Sequence, residues 1–413
     1  MSNAQDMIRR LLVFIALLGL SAPAFAVAPE RGTFTVGLLN PSTGPFAALG
    51  SDVNAGFQFY LDRHAGILSG FRIVIKRGDE ANSTDAALAK AHQFIEQDHV
   101  NAIVGIVNSA VAYGISDYVD RAKTPLILTV AGADGLTQAK ANPSTFRVSY
   151  TGSQDAMPMG DYACNRLKKK TAVVIGLDYA FGWEAVGGFA RTYTDSGCRI
   201  VQEVYAPLGT QDWAPFVARI DTSASVVYAA IAGADSIRFL SAYHDFGLTA
   251  PIVGHGALTD EQILGAEGKN AEGIITTLHY SAALPNAVNV RFKRDYESQT
   301  HGLVSQYVED GYAAAQVIEA ALAKLPAGTV KTDAFEAALR GVRVDAPRGP
   351  LRFDARGQAV YNVYVRQVRR AARGTENALL TTYFDVTQFG RYDPKSYLAG
   401  EPYAKRKGTW AKP

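Results

Sequence analysis

Three short segments hold residue types suited to gripping a small anion. In Val107-Asn108-Ser109-Ala110 a strand-like run ends and a helical pattern begins at once, so Ser109 can cap the helix while its hydroxyl and the unpaired N–H groups behind it face outward. Such donors, with the positive end of the helix dipole, form a carboxylate site that needs no arginine. A plain cap without a ligand fits the same spacing. Leu128 to Asp134 follows another strand pattern, and its small residues let a ligand approach the main chain, with Ala131 offering main-chain groups where a larger side chain would block the entrance. A tight turn is the bland alternative. Asp178 to Trp183 follows a third strand and opens a helix, so Phe181 or Trp183 can close over a solute from the opposite wall, although aromatics near a helix start are more often packed.

Catalytic constellations are missing. The chain has no GxxxxGK[ST] loop, no GxGxxG after its first strand and no HExxH helix. Gly114-Ile115-Ser116-Asp117 begins like a nucleophile elbow but lacks the final glycine and falls inside a helical pattern, which makes Ser116 an ordinary helical residue. Asp79 and Glu80 are carboxylates adjacent in sequence, and neighbours usually point apart, so they do not read as an acid and base couple. No cofactor or metal is expected. Reversible capture of a small solute suits the residues better than catalysis.

The elements that must position these segments are legible as a pattern. Strand-like runs at Phe34 to Leu39, Ile73 to Lys76, Ala102 to Val107 and Pro125 to Thr129 alternate with helical spacing, and a second set repeats the order at Thr171 to Leu177, Arg199 to Tyr205, Val226 to Ile231 and Pro251 to Gly254. The expectation is an α/β fold of two similar lobes, each a parallel sheet flanked by helices, joined by a multi-crossing hinge. Residues 33–150 and 279–350 are assigned to lobe one, 151–278 and 351–390 to lobe two, and 391–413 to an irregular tail. At 413 residues two domains are the natural prior, and 41 Lys+Arg against 39 Asp+Glu argue against a nucleic-acid partner.

Residues 1–26 read as a cleavable secretory signal, with Arg9 and Arg10 before an apolar run and Ala24-Phe25-Ala26 at the cleavage site. The mature chain is then expected to be soluble outside the cytoplasm, with no membrane insertion after cleavage. In an oxidising compartment Cys164 and Cys198 suggest a disulfide, with two buried thiols as the alternative.

The stretch Val36-Gly37-Leu38-Leu39-Asn40-Pro41-Ser42-Thr43-Gly44-Pro45, then Gly50, resembles the opening of the leucine/isoleucine/valine-binding family of periplasmic solute receptors that serve ABC importers. Gly105 to Ser109, Pro125 to Thr129, Asp178 with Gly182, Phe246-Gly247-Leu248 and Ala271-Glu272-Gly273 extend the match in order over nearly the whole mature chain. The resemblance implies a type I periplasmic binding fold with three crossings, a periplasmic location and docking on an ABC transporter permease. It also implies that Ser109 and the Ala131 main chain hold the ligand's carboxylate and that Phe181 covers it. The ammonium end departs from the family: Leu49 stands where a tyrosine is common, Ala133 replaces a threonine, Ala232 stands near another expected tyrosine, and Gly254-His255-Gly256-Ala257 lacks the usual glutamate. An ammonium buried without a carboxylate is heavily penalised, and Asp134 is the one substitute at hand unless it is solvated. The expected ligand is therefore an aromatic or aliphatic carboxylate, with His255 either bonding a ligand group or satisfied in its loop. A branched-chain amino acid receptor proper, or a sensory binding module feeding a membrane signalling protein, are the alternatives.

Overall fold

A computed structural model describes residues 30–371 and 374–411; the signal segment expected at residues 1–26 lies outside the described residues. Alternation along the strands decides the layering. In β1 (Gly32–Leu39), Phe34, Val36 and Leu38 enter one apolar cluster while Leu39 enters another, as period-two side chains must when both faces of a sheet are covered. With β2 (Ile67–Leu68), β3 (Phe71–Gly78), β4 (Ala102–Gly105), β5 (Leu126–Leu128) and β6 (Thr145–Arg147) it forms a sheet of order β2-β3-β1-β4-β5-β6, parallel except for the β2–β3 hairpin. Helices α1 (Ala47–Arg63), α2 (Thr84–His92) and α3 (Ser109–Arg121) flank it.

The second sheet repeats the logic. β7 (Thr171–Leu177) sends Ala172 and Val174 to one face and Val173, Ile175 and Leu177 to the other. It pairs with β8 (Arg199–Ala206) and β9 (Val226–Ala230), and β10 (Ile252–His255) and β11 (Ile275–Leu278) continue the parallel run. Helices α4 (Ala180–Asp195) and α5 (Ala234–Asp245) belong to this half. The chain then returns to the first half as α6 (Ala287–Thr300), α7 (Gln306–Leu322) and α8 (Thr332–Arg340), and comes back once more as β12 (Arg343–Ala346), β13 (Gly349–Phe353), β14 (Ala359–Arg370) and β15 (Thr375–Val386), all antiparallel. The lobes are therefore joined by three crossings, after β6, after β11 and after α8.

Two expectations about individual elements are corrected, and the third crossing falls before β12, so residues 343–350, assigned to lobe one, pair into the second sheet. The strand expected over Ala102 to Val107 stops at Gly105. The tail assigned to residues 391–413 is not wholly irregular, because a short helix spans Pro394–Leu398. Cys164 and Cys198 are joined as a disulfide, their α-carbons 6.0 Å apart.

Two features fix the crossings. Helices α1 and α7 touch backbone to backbone: a β-carbon on Gly56 would lie 1.8 Å from the Val308 carbonyl oxygen, and one on Gly311 would lie 2.0 Å from that of Val53. No side chain larger than hydrogen permits that approach, which sets Tyr307 at the start of α7. Charged groups from all three crossings also meet inside the hinge. His279 Nδ1 lies 3.0 Å from Asp155 Oδ2 and its Nε2 lies 3.1 Å from Asp310 Oδ1. Arg348 donates to Asp310 at 2.8 Å, to Glu309, and to the Val148 carbonyl at 2.8 Å. Burial and Arg348 oppose protonation of His279, but the Asp310 charge and the two carboxylate hydrogen bonds prevail and raise its pKa. His279, Glu309 and Asp310 have metal-ligand spacing, yet Arg348 already takes those carboxylates, which makes the group an ion-pair network.

Candidate functional site

A buried cavity opens where the C-terminal ends of parallel strands from both sheets converge. Its lining comes from the start of α1 (Phe46, Leu49), the β4–α3 turn (Val107, Ser109), the segment after β5 (Val130, Gly132) and the first crossing (Tyr150) on one side. Tyr179 and Phe181 at the start of α4, Ala232 after β9, and Tyr307 at the start of α7 complete it. The walls enclose a volume of about 10 Å³, room for about one water, so the lobes stand closed.

The β4–α3 turn is built under constraint. Gly105 has φ +138° and Ile106 has φ +66°, a backbone region that a β-branched residue enters at a cost of about 1–3 kcal/mol. The Ile106 N–H donates to the Leu39 carbonyl at 2.8 Å and its carbonyl accepts from Ala131 N–H at 3.0 Å, which holds it there. Beneath the turn, buried Glu80 accepts from the N–H groups of Val107 (3.2 Å) and Asn108 (3.1 Å). Burial pushes its carboxyl up to about 8 against those two bonds. Asp79 points the other way: burial acts against ionisation, but bonds from Ser42, Thr43 and Ala81 hold its carboxyl at about 2. The two carboxylates are divergent, as adjacent residues should be.

Ser109 was expected to cap α3, and this is corrected. Asn108 is the cap, its Oδ1 accepting from Ala110 N–H at 2.9 Å, so the N–H groups of Val107, Asn108 and Ala110 are all engaged internally. Ser109 is thereby released. Its hydroxyl is buried, lines the cavity and has no hydrogen-bond partner among the described residues. An orphaned buried donor at a helix N-terminus is the strongest chemical feature of the cavity.

The other expected residues divide. Ser109, Phe181, Val107, Leu49 and Ala232 meet at the cavity. Ala131 does not line it: its N–H is bonded to Ile106 and its carbonyl accepts from Arg147 Nε at 2.9 Å, so it has no free main-chain donor for an anion. The Ala133 carbonyl likewise takes Arg147 Nη2 at 2.6 Å. Trp183 faces a separate hollow, and its indole N–H donates to Asp178 at 2.8 Å. Asp134, the one substitute for an ammonium partner, borders that same hollow and accepts from Ser153 N–H at 3.1 Å. His255 stands behind the wall, its ring 4.7 Å from Tyr150 and 5.1 Å from Phe181. Burial lowers its pKa to about 4, and its Nδ1 accepts from Ala257 N–H, which places the imidazole proton on the buried, unpartnered Nε2.

Sequence reasoning missed Phe46, Tyr150 and Tyr307, and it covered Val130, Gly132 and Tyr179 only as members of the two candidate segments that hold them. A signal existed for the tyrosines: Tyr150 falls at the first lobe boundary, Tyr179 beside Phe181, and Tyr307 at the start of a long helical stretch, all places where chain passes the cleft. Burial and the nearby charges of Asp310 and Asp260 keep the Tyr150 and Tyr307 phenols protonated as hydroxyl donors. Among the described residues, neither a carboxylate nor a basic side chain lines the cavity. The walls can thus solvate an anion with neutral donors and enclose a flat apolar body.

A family model described as periplasmic binding protein matches residues 33–375. Leu/Ile/Val-binding protein homolog 6 of Brucella melitensis is 27% identical over 371 residues, covering 87% of this chain and 94% of that one. Among solved structures, a solute binding protein of an ABC transporter from Rhodopseudomonas palustris, in complex with 3,4-dihydroxy benzoic acid, is 28% identical with a TM-score of 0.82, over 87% of this chain and 99% of that one. Another from R. palustris, in complex with benzoate, is 28% identical with a TM-score of 0.81, over 86% and 98%.

Proposed function

Because the chain belongs to the periplasmic binding protein family, the solute-binding proteins of ABC transporters and not enzymes, we propose that it captures a small monocarboxylic acid with an aromatic or flat apolar body and delivers it to a membrane permease. The observation that carries this is the orphaned Ser109 hydroxyl in a cavity walled by Phe46, Tyr150, Tyr179, Phe181 and Tyr307. The carboxylate would accept from Ser109 in the field of the α3 N-terminus, with no counter-charge to desolvate. Benzoate-type acids in the two R. palustris structures support the same class. The name of the Brucella relative favours a branched-chain amino acid instead. An α-ammonium would need a carboxylate partner, and the lining supplies none, so this reading ranks second. The closed walls leave too little room for a ring to pass, and loading requires the lobes to part.

The test is a thermal-shift screen of the mature protein with benzoate, 3,4-dihydroxybenzoate, short aliphatic acids, leucine and valine, since a ligand of the native state raises Tm by mass action. Benzoates should raise Tm most. Strong stabilisation by leucine with none by simple acids would reverse the ranking.

A further inference from the structure

The two helices whose first turns face the cavity meet again one turn further along. On α3, Tyr113 lies four residues beyond Ser109, and on α4, Glu184 lies three beyond Phe181, so each pair shares a helix face. Tyr113 Oη donates to Glu184 Oε1 at 2.7 Å, the Asp134 N–H donates to Glu184 Oε2 at 3.0 Å, and the Gly135 N–H donates to Tyr113 Oη at 2.7 Å. Tyr113, Asp134 and Gly135 belong to the first lobe and Glu184 to the second. Both carboxyl oxygens of a side chain only 2% exposed are thus bonded across the cleft.

We propose that Tyr113 and Glu184 form a latch that sets the balance between closed and open lobes, and through it the affinity of the cavity, without touching the solute. The proposal rests on capture by closure. Parting the lobes separates donors from acceptors at this point and returns them to water, so only the net value of each bond biases the equilibrium, about three- to tenfold apiece. When the ligand-free protein is mostly open, apparent affinity scales with the fraction able to close, and every ligand loses the same factor. Both are positioning residues. The helical spacing makes the device economical: a rotation that brings Phe181 to the cavity necessarily brings Glu184 to Tyr113.

The test uses the mature protein with spin labels on Arg121→Cys and Ala218→Cys, two exposed sites on opposite lobes, the native cysteines being bonded to each other. Interlobe distances are measured without added ligand in the wild type, Tyr113→Phe and Glu184→Gln, and affinities for benzoate and 3,4-dihydroxybenzoate are measured by calorimetry. Tyr113→Phe should shift the open-to-closed ratio three- to tenfold and weaken both acids by one common factor of up to that size, leaving their ratio unchanged. Unaltered distances with unaltered affinities would overturn the latch, and so would a loss confined to one acid, which would mark a ligand contact. Should neither acid bind the wild type, the ligand assignment fails while the distance measurement still decides the latch. Should Glu184→Gln not fold, Tyr113→Phe, which removes one oxygen, carries the test alone.

Discussion

A buried hydroxyl without a hydrogen-bond partner costs about 1–3 kcal/mol, and Ser109 bears that cost in the closed protein at only 1% exposure. A carboxylate accepting from it would recover the cost and add a charge-assisted bond. Ser109→Ala should therefore weaken acid binding by about 1–3 kcal/mol in calorimetry while leaving the melting temperature of the ligand-free protein level or slightly higher. An unchanged affinity would remove Ser109 from the ligand's contacts. The sequence carried Ser109 by residue type and place, but it could not show which of two adjacent polar residues caps the helix, because Asn and Ser are equally good caps. Ala131 failed for a related reason. Small residues signal access to the main chain, but whether that main chain is free depends on Ile106 and Arg147, which reach it from other elements.

At the scale of elements, legibility followed length and burial. β7 was readable end to end, Thr171–Leu177, since it is buried on both faces and needs only a continuous apolar run. β5 and β6 are equally short and equally buried, but only β5 is an unbroken apolar run; β6 carries Thr145 and Arg147 and β12 carries Arg343 and Asp345, so neither reads as a strand, and β15 was missed because its outer face shows alternation broken by Asn377, Asp385 and register shifts against β14. The bridge between Cys164 and Cys198 joins the helical segment after the first crossing to the turn before β8, and neither cysteine lines the cavity. Replacing both cysteines by alanine should lower the free energy of unfolding by about 2–4 kcal/mol in urea denaturation, and benzoate affinity should hold. A large loss of affinity would mean that the bridge shapes the second lobe's cleft wall.

The whole molecule buries many acids, and their signs agree. Burial pushes Glu80 and Asp260 to about 8 and Asp52 and Asp134 to about 6, and raises Glu184 and Glu267 well above the carboxylate range. Between an ordinary carboxyl value and the raised one, the unfolded chain has released a proton that the folded chain keeps. The unfolded state then binds fewer protons, so stability falls as pH rises through this interval. His279 adds the same sign, because its raised pKa gives stability that is full below its ordinary value and lost above the raised one. His255, lowered by burial to about 4, opposes this between pH 4 and its ordinary 6.5, where the unfolded chain holds a proton the folded chain lacks, and Asp79, lowered to about 2, opposes it only below its ordinary 3.8. The melting temperature should therefore be highest near roughly pH 5 and decline toward pH 8. Glu267→Gln isolates one contributor cleanly, since among the described residues neither of its carboxyl oxygens has a hydrogen-bond partner to lose, and it should flatten the decline. A melting temperature that stays level or climbs between those pH values would mean that the folded chain ionises these groups despite their burial.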